Sequence, residues 1–128
     1  MKEEVRNWLK SADYDLGTAE SMLAAGRYVY VVFLCHLSLE KMLKAKIQQE
    51  SGKTPPKTHN LRYLLDLSGL EADEETAEFI SKLSGVSIPA RYPQNFDEVL
   101  QAYDKDAAER YLTRTKEIFK WIKESLKP

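Results

Sequence analysis

Residues 27–49 read RYVYVVFLCHLSLEKMLKAKIQQ, and this stretch decides the fold. From Val29 to Leu37 every residue except His36 is apolar. A helix that is apolar all round must be covered on several sides, so this one is expected at the centre of a helical bundle. After it a single polar row begins. His36, Glu40 and Lys44 recur every fourth residue, with Lys41 alongside, and that spacing puts the three side chains on one face within mutual reach.

Working outward, the preceding segment follows helical spacing through Val5, Trp8, Leu9, Ala12, Leu16, Ala19 and Leu23. Gly26 ends it, since glycine takes the left-handed conformation of a helix C-cap. With only Gly26 and Arg27 in between, the first two helices must form an antiparallel hairpin. Downstream, Pro55-Pro56 forces an extended connection. A short helix is expected over 60–68, with Thr58 as its N-cap and Gly69 as its end. A fourth helix should run over 74–84, capped by Asp73 and stopped by Gly85. Between Val86 and Tyr103, with Pro89 and Pro93, the period dissolves and an irregular segment is expected. A last helix begins at Asp104 to Asp106, where Asp106 and Glu109 have capping-box spacing. Its apolar stripe runs from Ala108 to Leu126. The expected architecture is all-α: one domain, residues 1–128, an up-and-down helical bundle of four to five helices, three of them long.

The totals agree. At 128 residues the chain buries roughly two-thirds of its unfolded surface. The charged opening Met1-Lys2-Glu3-Glu4 is unlike a signal peptide, and no run of about 18 apolar residues suggests a membrane span. The single Cys35 sits in the most apolar stretch, which fits a core thiol in a reducing cytoplasm. Net charge is only −1, but two segments are locally basic. Residues 41–57 carry five lysines against one glutamate, and residues 110–128 carry six bases against two acids. On a shared face they would attract a phosphate-bearing ligand, whereas separately they are ordinary solvated faces. Trp121 with Tyr111 and Phe119 offers apolar surface through which the last helix, or the central one, would pair two copies of the chain.

Three groups of residues could carry chemistry. His36 and Glu40 have the spacing of a proton-transfer pair, or of a buried histidine bonded to a carboxylate that is itself paired with Lys44. No second histidine stands at ligand spacing, so no metal site is expected. His59, in Lys57-Thr58-His59-Asn60, would sit where a helix N-terminus favours an anion, or simply at an exposed helix start. Arg91-Tyr92 could clamp a phosphate and stack a base, or tie down its own loop. P-loop and GxGxxG patterns are absent, so a nucleotide such as ATP would be held by helix surfaces and loop side chains.

In order and spacing these pieces resemble the HEPN domain (higher eukaryotes and prokaryotes nucleotide-binding). The resemblance rests on Asp15 to Ala19, the HLSLEKMLKA core at 36–45, THNL at 58–61 and RYP at 91–93 before a long last helix. It implies a helical bundle, commonly dimeric. Many members look like metal-independent ribonucleases with an Arg and a His four to six residues apart, but no histidine follows Arg91 here. Members without that pair look like partners of small nucleotidyltransferases. The resemblance therefore implies a dimeric nucleotide- or RNA-binding protein of a toxin–antitoxin-like pair. Arg91 would contact phosphate, Tyr92 would shape the pocket, and His36, Glu40 and Lys44 would line the groove beneath. The alternatives are a ribonuclease whose base is His36 or His59, and a non-catalytic protein-interaction module.

Overall fold

The computed structural model describes residues 1–91 and 94–128, the side chains of residues 87–91 excepted. Six helices and no strand occur among the described residues: α1 (Glu3–Ala24), α2 (Tyr28–Ser51), α3 (Leu61–Ser68), α4 (Glu74–Arg91), α5 (Phe96–Ala102) and α6 (Lys105–Ser125). The all-α bundle holds with one helix more than expected.

α2 packs against α1, α3, α4, α5 and α6, as its nearly continuous apolar surface requires. Val31, Val32, Cys35, Leu39, Met42 and Leu43 are all buried. Side-chain pairs give the helix directions. Trp8 pairs with Gln48 and Asp15 with Lys41, so α1 and α2 are antiparallel. Thr76 pairs with Arg114 and Phe79 with Tyr111, so α4 and α6 are antiparallel. Lys46 donates to the Ser125 carbonyl and Gln49 to that of Lys127, so α2 and α6 end together. The four long helices therefore alternate up, down, up, down, and short α3 and α5 lie in the connections.

The hairpin between α1 and α2 closes through a Schellman motif. Gly26, at φ 76°, and Arg27 donate their N–H groups to the carbonyls of Leu23 and Met22 at 3.2 and 2.8 Å.

Several boundaries differ from the sequence expectation. α4 does not stop at Gly85, which has no positive φ, but continues to Arg91. Val86 carries the inward stripe of Ile80 and Leu83 one turn further, and that packing outweighs the ~1 kcal/mol a helical glycine costs. The stretch expected to be irregular also holds α5, capped by Asn95, whose side chain accepts from the Glu98 N–H. α3 is capped by Asn60, not Thr58: Asn60 Oδ1 accepts from Tyr63 N, while Thr58 Oγ1 accepts from Asn60 N. α6 is capped by Asp104, not Asp106, because only Asp104 stands three residues before the free N–H of Ala107. Asp73 caps α4 as expected.

The apolar surface also differs. Tyr111 and Phe119 are buried in the core, and Trp121 packs partly against it, so this trio offers little to a second chain. Among the described residues the exposed large apolar side chains are instead Tyr14, Tyr30, Tyr63, Leu67, Phe96 and Leu100. No helix among the described residues is long and apolar enough to cross a membrane.

Candidate functional site

The polar row on α2 is buried. His36, Glu40 and Lys44 lie inside the protein among helices that cover the apolar faces beside them. Glu40 is the centre. Its Oε2 accepts from Lys44 Nζ at 3.1 Å, and its Oε1 lies 2.9 Å from His59 Nδ1 and 3.3 Å from His36 Nε2. The His36 contact does not have hydrogen-bond geometry, so both ring nitrogens of a side chain only 1% exposed have no hydrogen-bond partner. The bonded, buried-histidine alternative thus holds for Lys44 and Glu40, and for His36 by proximity alone.

Burial alone would raise the Glu40 carboxyl. The contacts from His36, His59 and Lys44, together with the Lys44 charge, overcome burial and lower it to about 2. Glu40 is therefore an ionised, buried acceptor at neutral pH. Lys44 supplies the matching charge, and its ammonium lies 5.6 Å from the centre of the Trp8 ring, within cation–π range. Trp8 is held in turn by Nε1 donating to Gln48 Oε1 at 2.8 Å. One turn away, Lys41 pairs with the buried Asp15 at 2.7 Å. Trp8, Asp15 and Gln48 were not singled out from the sequence as partners of this row. The hairpin alone could have found them, since antiparallel pairing matches Trp8 with Gln48 once Asp15 is matched with Lys41.

His59 reaches the cluster from outside α2. Beyond the proline pair, with Pro55 buried, the chain comes back along α2 and sets the ring over Glu40. The Leu61 N–H donates to Ser84 Oγ at 3.1 Å, which fastens the start of α3 to α4 seven residues before Arg91. The structure thus brings together four of the six candidate residues: His36, Glu40, Lys44 and His59. Of the other two, Arg91 closes α4 but its side chain lies outside the described residues, as does Tyr92 altogether.

The basic segments are largely neutralised. Lys41, Lys44 and Lys46 pair with Asp15, Glu40 and Glu50, and Arg110, Arg114, Lys116 and Lys120 pair with Asp106, Glu117, Glu20 and Glu124. Lys53 and Lys57 in the proline loop have no ion pair among the described residues. Burial pushes the Cys35 thiol up to about 12, against the weaker opposing pulls of Thr115 and Lys116, so it is no nucleophile. An open cleft of about 360 Å³ between the start of α4 and α6 is lined by Glu71, Asp73, Thr76, Arg114, Glu117 and Trp121 and shares no residue with the Glu40 cluster. No group of three His, Cys, Asp or Glu suited to a metal occurs among the described residues.

Comparison with known proteins agrees with the resemblance read from the sequence. The HEPN domain family model matches residues 5–125. No curated protein matches the chain significantly. Among solved structures, TT1696 from Thermus thermophilus is 25% identical, with a TM-score of 0.81 over 98% of this chain and 100% of that one. ST0689, described as an archaeal HEPN homologue, is 25% identical, with a TM-score of 0.78 over 99% of this chain and 100% of that one.

Proposed function

This chain belongs to the HEPN domain family, and from that membership and the Glu40 cluster we propose that it is a nucleotide- or RNA-binding protein. In this proposal it is cytoplasmic, acts as a homodimer, and works with a small nucleotidyltransferase in a toxin–antitoxin-like pair. The observation that carries the reading is the buried set of ionised and imidazole side chains on the central helix. Apolar residues of similar volume would pack this part of α2 at least as well as a buried ion pair, so such a cluster in so small a core favours a site over a scaffold. Its accessible edge is His59, two residues before Leu61, whose N–H is bonded to Ser84 of α4, and the last residue of α4 is Arg91. Arg91 is assigned to the phosphates, as a bidentate donor, and Tyr92 to the base, as a stacking partner.

Calorimetric titration of ATP and GTP into the parent and into Arg91→Ala tests this. We expect binding by the parent, loss of binding in the variant, and an unchanged thermal midpoint. Equal loss of binding and stability would make Arg91 structural, and no binding by the parent would overturn the nucleotide reading.

One observation favours a second reading, a metal-independent ribonuclease. An exposed imidazole backed by a buried carboxylate is the arrangement a general base requires, and His59 has it, whereas His36 is too deeply buried to meet a substrate. RNA cleavage in chelator that vanishes in His59→Ala would support that reading, and an undiminished rate would remove it.

A further inference from the structure

We propose that His59 reads a sugar hydroxyl of the bound nucleotide, accepting its hydrogen bond at Nε2. The proposal rests on the nucleotide-binding reading above. It begins with a constraint that Glu40 places on the imidazole. An ionised carboxylate can only accept hydrogen bonds, so the nitrogen 2.9 Å away, Nδ1, must carry a proton. In the neutral ring the other nitrogen then has none, and Nε2 presents a lone pair.

That lone pair is available. The His59 side chain is 66% exposed although its Nδ1 partner is buried, and Nε2 has no partner among the described residues. The ring is also held in place. Thr58 Oγ1 accepts from the Asn60 N–H on one side, and Leu61 N is bonded to Ser84 Oγ on the other, so the backbone carrying His59 is tied at both ends. An acceptor held in this way is mismatched to phosphate oxygens, which are acceptors themselves. It is matched to a donor. A sugar hydroxyl is the donor that every ribonucleotide carries whatever its base, and the adjacent Asn60, a natural reader of bases, has its oxygen committed to Tyr63 N. His59 therefore selects for ribose, while phosphate recognition falls to other groups.

The test compares ATP with 2′,3′-dideoxy-ATP by calorimetry, in the parent and in His59→Ala, alongside ¹⁵N NMR of the imidazoles. We expect the parent to bind ATP about tenfold more tightly than the dideoxy analogue, the effect of one well-placed hydrogen bond, and His59→Ala to bind the two alike. The ring of His59 should be the Nδ1–H tautomer in the parent. In Glu40→Gln, whose amide can donate as well as accept, that constraint should relax. Equal binding of ATP and its analogue by the parent overturns the inference while leaving nucleotide binding intact. So does discrimination that persists in His59→Ala, or an Nε2–H tautomer in the parent, which is read without any ligand. Failure of the parent to bind ATP at all overturns the nucleotide reading and the inference with it.

Discussion

Replacing Glu40 with glutamine keeps the size of the side chain and removes its charge. In the parent that charge is buried and faces Lys44, which is itself buried. The substitution leaves an ammonium inside the protein with a neutral amide and the Trp8 ring for company. Removing one partner of a buried pair costs about 3–5 kcal/mol. A second route gives a similar figure. The Glu40 carboxyl is lowered from 4.5 to about 2, and at ~1.4 kcal/mol per pH unit this is of order 3 kcal/mol of stability at neutral pH. Because the folded-state value lies below the unfolded one, that contribution is complete above about pH 4.5 and is lost as the pH falls towards 2. Urea unfolding of parent and Glu40→Gln at pH 7, 5, 4 and 3 is the assay. The gap should be about 3 kcal/mol at pH 7 and 5 and should shrink steadily below pH 4.5. A gap under about 1 kcal/mol at pH 7, or one that does not change with pH, would refute the reasoning: Glu40 would then be solvated rather than the buried centre of a charged cluster.

Other consequences are simpler. Gly26→Ala should lower stability by about 1 kcal/mol, because the residue needs φ 76° and not because it lacks room; chemical denaturation measures it. Asp104→Ala should cost about 1 kcal/mol through the lost bond to the Ala107 N–H, with Asp106→Ala near zero; a reversed order would place the cap elsewhere. Cys35 should react with a thiol reagent only at the rate of global unfolding, since burial both hides the thiol and raises its pKa, and fast labelling at neutral pH would contradict this.

Much of this molecule is determined by local pattern. The hairpin of α1 and α2 follows from an unbroken apolar period, one glycine and no room for a longer connection. The α6 stripe is read the same way, and the bond between Glu40 and Lys44 follows from a four-residue spacing within one helix. Where the local signal was misleading, tertiary packing had outweighed it. Gly85 reads as a stop, yet Val86 extends the buried face of α4 past it. Thr58 and Asp106 read as caps, yet the residue that caps is the one whose oxygen meets a free N–H, and neighbours two residues apart look alike in sequence.

The site shows the same division. Sequence alone places His36, Glu40 and Lys44 on one face of the central helix, because helical geometry is periodic and needs no knowledge of the rest of the chain. It does not show that the row is buried, nor that His59 closes over Glu40 from nineteen residues away. Those facts depend on how the chain turns through Pro55-Pro56 and on α3 being fastened to α4 at Ser84. Both are properties of the path of the chain through space. Only the tertiary structure turns a polar row on a helix into a buried carboxylate that orients an exposed imidazole.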